Sequence, residues 1–323
     1  MKKNISAAIL ILFVTLLYAQ LFTTLCYAAE STVIFDRDTG VITVSGTLSD
    51  TSRGSLTMLK VTNQAGGIAH IDTVDSVNNR YQYMLTMDAQ RPTGIYSGSV
   101  SLYGFDTAAD PFTLKYYNKA DILTCITALN QAKSGTNAQM KTVFEGYRDL
   151  LGFDYTLYDH IKQKGGDLSA VFDNLRISQT FQTINDVNQA FMGSLIAVTI
   201  NNAAVGDIPG ILSDNHIVLN LNTAMKAIYA DFSAANLLEA NGKMLHKNLR
   251  NISDIRNTFN DAVFTTFVHS ANNWVLVQNL TNNNQDLLSE VDFSKLGLIK
   301  NKGKVFGDVV GKGYADIAAY TTD

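Results

Sequence analysis

The segment FQTINDVNQAF at residues 181–191 recurs as LRNISDIRNTF at residues 249–259, displaced by 68 residues, and this repeat decides the fold of the second half of the chain. Both copies have apolar residues at their first, fourth, seventh and eleventh positions, a spacing that places them on one face of a helix. A period of about 70 residues predicts stacked helical units that contact mainly their neighbours.

Two shorter elements recur with this motif. LNQA at residues 129–132 returns as INNA at residues 200–203, and LGFDY at residues 151–155 aligns with IVLNL at residues 217–221, displaced by 66 residues. A shorter third copy begins near Ala271 and stops at Asp323 inside an expected helix, so we expect the natural chain to be longer. The predicted helical repeats are residues 119–199, 200–270 and, as a partial copy, 271–323.

The Asp residues of the repeat each follow a candidate helix N-cap by three residues. A carboxylate at the third helical position can accept a hydrogen bond from the N-cap backbone, and it meets the positive end of the helix dipole. The sequence therefore favours a capping role for these residues over calcium binding or catalysis. The predicted pairs are Thr183 with Asp186, Asn251 with Asp254, and Gly313 with Asp316.

Before Asn118 the apolar residues alternate with polar ones. Patterns such as Tyr81, Tyr83 and Leu85, interrupted by turns rich in Gly, Asn and Pro, predict about seven short strands. Strands at this spacing predict a β-sandwich over residues 30–118, and the lack of a Cys pair and of Trp there excludes an antibody-type domain. The predicted fold class is multidomain all-β plus all-α, with an N-terminal Ig-like β-sandwich followed by about three stacked helical repeats.

The first 29 residues have the features of a secretory signal. Lys2 and Lys3 precede an uncharged apolar segment, and cleavage is predicted after Ala28. An uncleaved membrane anchor is the alternative, because the uncharged run is long enough to span a bilayer. Cleavage would remove Cys26 and leave Cys125, in an apolar helical run, as a buried thiol with no internal disulfide.

The composition excludes several classes of function. Lys and Arg number 25 against 29 Asp and Glu, the formal net charge is -4, and only 17% of the residues are charged. Nucleic-acid binding by charge needs clustered basic residues, so no nucleic-acid partner is expected. Two cysteines cannot build a disulfide scaffold or a cysteine-based zinc site.

No motif of a catalytic, cofactor or metal site stands out in the sequence. The five histidines have no metal-binding spacing, and there is no nucleophile elbow or phosphate-binding loop. Asp36, Asp38 and Gly40 are similar to the start of a calcium loop, but no Glu stands at the twelfth position, so a turn is predicted. We therefore predict no catalytic residue, no cofactor and no metal.

Aromatic residues form the candidate binding surface. Tyr side chains on an exposed sheet face can stack on sugar rings or pack against a partner, although core packing competes with this role. The candidates are Tyr96, Tyr103, Tyr116, Tyr117 and Trp274, the last of which is also a candidate plug between repeats.

These patterns together carry a family resemblance. The strand motif at residues 42–48, the turn PTGIY at residues 92–96 and the three recurring helical elements resemble the Ig-like modules and helical repeats of S-layer-associated and other large secreted surface proteins of Gram-positive bacteria. The second helical copy departs from the pattern, with Val218 and Asn220 in place of the middle Gly and Asp. The resemblance implies a location at the cell surface or cell wall and a structural or adhesive role.

The expected function is that of a secreted, non-catalytic surface protein that acts as an envelope scaffold or binding module. Its expected partners are cell-wall or extracellular polysaccharide or other surface proteins, with membrane contact only through the signal segment. One alternative is a carbohydrate-binding accessory region of a larger secreted enzyme that acts on polysaccharide. The other is a hydrolase whose site has no recognised motif.

Overall fold

The structure is a computed structural model that describes residues 31–48, 54–104, 108–245, 247–288 and 291–322. The predicted signal segment, residues 1–29, lies outside the described residues. The chain divides between Cys125 and Ile126 into two compact units. The unit that ends at Cys125 is named the β unit, and the unit that begins at Ile126 is named the helical unit.

The described part of the β unit forms two antiparallel sheets. Its strands are β1 (Thr32–Phe35), β2 (Val41–Thr47), β3 (Leu56–Thr62), β4 (Ile68–Asp75), β5 (Arg80–Thr86), β6 (Gly94–Leu102) and β7 (Ala108–Tyr116). One sheet has the order β1-β2-β5 and the other the order β4-β3-β6-β7. Helices follow the strands, so the predicted order of a β part and then an α part is present.

Alternating side chains build the core of the β unit. In β5, Tyr81, Tyr83 and Leu85 are buried while the residues between them are exposed, because successive side chains of a strand point to opposite faces. The Tyr83 hydroxyl lies 2.6 Å from Oγ1 of Thr57, which satisfies the polar end of the buried ring. The alternation that the sequence predicts for Tyr81, Tyr83 and Leu85 is therefore present in β5.

Two details of the turns and strand ends follow from local chemistry. Asp36 Oδ1 accepts hydrogen bonds from the backbone N–H of Asp38 and Thr39, and Gly40 has a φ of 74°, so this segment is the predicted turn. The last strand was predicted to open at residues 110–111, but it begins at residue 108. Because β7 lies at a sheet edge, Pro111 can stand inside it without removing an interior ladder hydrogen bond.

Tyr96 anchors the turn that precedes β6. Its ring is buried and packs at 87° to the ring of Tyr116, with 5.9 Å between the ring centroids. Its hydroxyl donates a 2.8 Å hydrogen bond to the backbone oxygen of Pro92, four residues upstream. The turn is therefore tied to the core through one side chain.

Replacing Tyr96 with phenylalanine should lower the free energy of unfolding of the β unit by about 1 to 1.5 kcal/mol, because the Pro92 carbonyl loses its hydrogen bond while the ring stays packed. For a domain of this size, 1 kcal/mol corresponds to about 4 to 8 °C in Tm, which calorimetry of the variant would measure. Tyr103→Phe is the matched control, since Tyr103 is exposed and should change stability by less than about 0.5 kcal/mol. Equal effects of the two substitutions would contradict the anchoring role.

The rest of the described chain is helical. Its first five helices are α1 (Lys119–Ala132), α2 (Asn137–Gly146), α3 (Arg148–Leu151), α4 (Thr156–Gln163) and α5 (Ser169–Ile177). The next five are α6 (Ile184–Asn201), α7 (Ile208–Asp214), α8 (His216–Leu219), α9 (Thr223–Ala230) and α10 (Ala234–Met244). The last five are α11 (Ile252–Ser270), α12 (Trp274–Asn283), α13 (Phe293–Leu298), α14 (Lys302–Val309) and α15 (Ile317–Thr322). In the described ranges, no helix combines the length and the apolar character that a membrane crossing requires.

Two long helices occupy the centre of the helical unit. Residues 193–198 of α6 and residues 262–266 of α11 are buried without interruption, as expected for helices that are surrounded by others. The helices meet closely at Gly193, where an added Cβ would lie 2.7 Å from Cγ1 of Ile252 and 2.9 Å from its backbone nitrogen. The predicted repeat boundary between residues 199 and 200 falls inside α6.

The N-caps of these two helices agree with the prediction, but that of α15 does not. The backbone N–H groups of Asp186 and Asp254 donate to the side chains of Thr183 and Asn251, so each Asp stands at the third helical position. Asp316 instead precedes α15, and its Oδ1 accepts a 2.8 Å hydrogen bond from the N–H of Ala319. Asp316 is therefore itself the N-cap residue of its helix, as Thr183 and Asn251 are of theirs. The predicted pairing of an N-cap Gly313 with Asp316 is wrong.

Each carboxylate also accepts hydrogen bonds from the preceding turn, and the bond to the residue before the N-cap is common to both caps. Asp186 Oδ2 accepts from the N–H groups of Gln182 and Thr183, and Asp254 Oδ2 accepts from the N–H of Arg250. The backbone donors, offset in part by burial, lower the pKa of Asp186. Both carboxylates are thus engaged in helix capping.

The middle element of the repeat is displaced relative to the sequence alignment. The short helix α3 ends at Gly152 with a φ of 61°, and the short helix α8 ends at Asn220 with a φ of 41°. Both residues therefore form the left-handed C-cap, which Gly and Asn adopt most readily. Asn220 takes the place of Gly152 rather than that of Asp154, so the predicted 66-residue displacement is wrong and 68 applies here too.

The same pair of hydrogen bonds occurs at two places in the helical unit. One pair joins α1 to the residues just before α6, and the other joins α6 to the residues just before α11. The amide of Asn130 in α1 accepts from the N–H of Phe181 at 2.9 Å and donates to its carbonyl at 2.8 Å. Asn201, the last residue of α6, makes the same pair with Leu249, at 3.1 and 2.9 Å. This arrangement, named the Asn clamp, satisfies both backbone groups of a buried residue with one side chain.

Candidate functional site

The structure separates the five predicted aromatic residues by their exposure. Tyr96, Tyr116 and Tyr117 are buried, so they are not available as a binding surface; the rings of Tyr96 and Tyr116 pack in the core of the β unit. Tyr103, which is 57% exposed, remains accessible after β6, and Trp274 is 38% exposed. Exposed and buried positions alternate along a strand. The number of aromatic residues in a strand therefore does not tell which of them lie on its exposed face.

Trp274 is the first residue of α12, directly after the N-cap Asn273. Asn273 Oδ1 accepts from the N–H groups of Val275 and Leu276 and so caps this helix. The indole lies against α14, where an added Cβ on Gly303 would be 3.3 Å from Cε2 of the ring. Both helices belong to the third predicted repeat, residues 271–323. The contact of Trp274 is therefore within one predicted repeat and not between two repeats.

The four histidines in the described part of the chain are His70, His160, His216 and His269. Among the described residues, no group of three or more His, Cys, Asp and Glu side chains could hold a metal ion. His70 lies in β4 with its Nε2 buried and without a hydrogen-bond partner, and His269 bonds to Glu239. His246 lies outside the described residues.

Cys125 is a fully buried thiol in α1. Burial raises its pKa to about 12, so the thiolate, the reactive form, is absent at neutral pH. This environment fits the predicted structural role.

Cys125 should resist iodoacetamide in the native protein at pH 8 and react fully in urea, because only unfolding exposes the thiol and returns its pKa toward 8.5. Peptide mapping by mass spectrometry would distinguish it from Cys26. Complete native labelling of Cys125 on the timescale of an exposed thiol would contradict its burial.

A polar cluster joins α10 to α11. Glu239 bonds to Nδ1 of His269 and to Nζ of Lys243, each at 2.8 Å, and Lys243 also donates to Oγ1 of Thr265 at 3.0 Å. Burial opposes ionisation of Glu239, but hydrogen bonds from Lys243 and His269 outweigh it and lower the pKa. The Thr265 hydroxyl donates to the carbonyl of Asp261, so its proton is not offered to His269 and the cluster ties helices rather than forming a nucleophilic triad.

A concave surface lies between α5 and α11. This α5–α11 groove has a volume of about 610 Å³ and is formed by three helices and the segment 247–251, in which Asn248 has a φ of 50°. The end of α5 contributes Asn174, Ile177 and Ser178, α6 contributes Ala190, and α11 contributes Asp254, Asn257 and Thr258. Its volume is in the range of ligand-binding clefts, and its lining is rich in amides and hydroxyls.

Several polar side chains in the groove have no partner in the protein. Of the described residues, Asn174, Asn248 and Asn257 make no side-chain hydrogen bond, and Lys247 and Arg250 form no ion pair within 4.0 Å. Burial raises the pKa of Asp261, and the positive charge of Lys247 opposes this rise in part. Asp254 is the acidic residue of the lining, and its carboxylate is used in capping.

No sequence motif marks this groove, because its residues come from three segments that only the fold brings together. The available signal was the run KNLRN at residues 247–251, which is polar and basic between two apolar helices. Such a run is more often a solvated loop than a site.

Comparisons with known proteins give no name to this arrangement: no protein-family model matches the chain, and no curated protein matches it.

Proposed function

We propose that the protein is a secreted, non-catalytic structural or adhesive protein of the cell envelope, built from an Ig-like β-sandwich and an array of helical repeats. The observation that carries this proposal is the recurrence of the Asn clamp at Asn130–Phe181 and Asn201–Leu249. A side chain that joins one helical segment to the next in the same way twice is typical of a modular scaffold.

The Ig-like assignment is supported by the strand order and by Tyr96. The sheets β1-β2-β5 and β4-β3-β6-β7 pair strands that are distant in sequence, as Greek-key sandwiches do. A Tyr near the start of a strand that bonds to the backbone a few residues upstream is the tyrosine corner of Ig-like domains, and Tyr96 makes this bond with Pro92.

The repeat assignment is supported by equivalent helix starts and ends. Ile184, Ile252 and Ile317 are each the first residue of a helix, after the caps Thr183, Asn251 and Asp316. The left-handed C-caps Gly152 and Asn220 lie at the same displacement of 68 residues as the two longer motif copies. A recurrence of this kind is typical of stacked repeats that contact mainly their neighbours, which favours a spacer that positions binding surfaces away from the membrane.

Secretion is proposed from residues 1–29, and the envelope role from the resemblance together with the α5–α11 groove. A polar groove with unpaired amides and cations offers a place for a partner, while Tyr103 and Trp274 offer aromatic contacts. Envelope association therefore needs no chemistry by the protein itself.

Fractionation of the source cells, followed by incubation of the purified chain with isolated envelopes, tests the proposal. We expect the protein in the envelope or culture supernatant, saturable sedimentation with envelopes, and no release of soluble sugars or peptides from them. A cytoplasmic location or a failure to sediment would overturn the envelope role, and release of soluble fragments would favour the hydrolase alternative. Sedimentation with purified polysaccharide alone would favour the carbohydrate-binding accessory region.

A further inference from the structure

The Asn clamp shows how this protein binds the backbone of a residue that lies outside its helices and strands. At Asn130 and Asn201 a helical amide pairs with both the N–H and the carbonyl of one residue, Phe181 or Leu249. A primary amide can do this because it has a donor and an acceptor on one planar group, which matches the two backbone groups of a peptide. The pattern depends on the backbone and not on the bound side chain.

The α5–α11 groove presents the same chemical group without a bound backbone. Asn174 lies on α5 and Asn257 on α11, so the groove has an unpaired amide on each of two helices. Asn174 is half-buried, and an amide at a partly buried position gains from a partner that replaces water. The segment 247–251, held by Asn201 at Leu249, borders the same groove.

The charge of the groove favours an acidic partner. Lys247 and Arg250 are exposed and form no ion pair with any residue that the structure describes, whereas the carboxylate of Asp254 is already bonded to the N–H of Arg250. Two free cations at the rim of a cleft attract acidic side chains and set the orientation of a partner.

The lining favours a peptide over a polysaccharide. No aromatic residue is among the groove residues, so the stacking surface that commonly binds sugar rings is absent from this part of the described structure. Ile177, which is exposed, can instead contact an apolar side chain of a peptide. Amides together with an apolar contact and cations match an extended chain with acidic residues.

We propose that the α5–α11 groove binds an extended, acidic segment of a partner protein, with Asn174 and Asn257 pairing with its backbone and Lys247 and Arg250 with its carboxylates. This inference rests on the proposed adhesive function and names the partner class for it. The bound segment copies what Phe181 and Leu249 do within the chain.

Fluorescence anisotropy with the full-length chain and a labelled peptide of alternating Ser and Glu tests the proposal. We expect saturable binding that weakens as ionic strength rises, and much weaker binding of the matching Ser and Gln peptide. Asn174→Ala and Asn257→Ala should each weaken binding by about fivefold to tenfold, the loss of one or two neutral hydrogen bonds. Arg250→Gln should weaken binding and reduce its dependence on salt.

The matched controls are Asn282→Ala and Lys300→Gln, because both residues are exposed and lie outside the groove. Equal binding by the Asn174 and Asn257 variants and the controls would overturn the proposal, as would binding of polygalacturonate, but not of the peptide, at the groove residues. If peptide binding fails while the protein still sediments with envelopes, the groove assignment is wrong and the envelope role stands. If peptide binding succeeds without sedimentation, the envelope role is the one that fails.

Discussion

Replacing Asn201 with alanine should lower the free energy of unfolding of the helical unit by about 2 to 4 kcal/mol. The substitution removes both hydrogen bonds of the Asn clamp and leaves the N–H and carbonyl of Leu249, a buried residue, without their partner. An unsatisfied buried backbone group costs about 1 to 3 kcal/mol, and two are affected. Urea unfolding followed by the fluorescence of Trp274, the single Trp of the chain, would measure the change.

The repeat supplies both a replicate and a control for this experiment. Asn130→Ala should have a cost of the same size, because Asn130 makes the same two bonds with Phe181. Asn272 lies at the corresponding place of the third segment, but it is exposed and bonds to the side chain of Asn273, so Asn272→Ala should cost less than about 0.5 kcal/mol. If Asn201→Ala costs no more than Asn272→Ala, the clamp does not contribute to stability.

Replacing Gly193 with alanine should destabilise the helical unit by about 1 to 3 kcal/mol, although alanine is the better helix former. Helix propensity alone would stabilise the protein by about 1 kcal/mol. At this position, however, the new Cβ would stand 2.9 Å from the backbone nitrogen of Ile252, which is not the end of a flexible side chain and can retreat only if α11 moves. Steric overlap therefore outweighs propensity.

Gly242→Ala tests the same substitution where space is open. Gly242 lies in α10, and an added Cβ there would meet nothing within 4 Å. This variant should be more stable than the natural protein by about 0.5 to 1 kcal/mol. Urea unfolding of the two variants under the same conditions should give changes in stability of opposite sign, because α6 and α11 approach closely only at Gly193 of these two positions. An increase in stability in both variants would contradict this close approach.

Features that depend on neighbours in sequence were predictable. The strand alternation in β5, the turn at Asp36 and the caps Thr183 and Asn251 were all identified correctly, because each is decided by residues within one turn or one strand. The order of a β part and then an α part follows from the change of apolar period for the same reason.

Features that depend on contacts between residues distant in sequence were not predictable from the sequence. Tyr96, Tyr116 and Tyr117 are buried, although composition left them open as a surface, because the packing of one sheet decides which strand faces meet water. Asp316 lies three residues after Gly313 but caps α15 itself, where the N–H of Ile317 also bonds to Asp261 of α11. A capping motif that is predicted from residue spacing takes no account of a contact between residues that are distant in sequence.

The sequence by itself determined the kinds of elements, their order and the 68-residue recurrence, since these arise from local propensity and periodicity. The tertiary structure alone decided which amides are used and which remain free. Asn130 and Asn201 meet a backbone partner, whereas Asn174 and Asn257 face the open groove. The physical reason is that an amide looks the same in sequence whether its two hydrogen-bonding groups end against protein or against solvent, and only the path of the chain brings a partner to it.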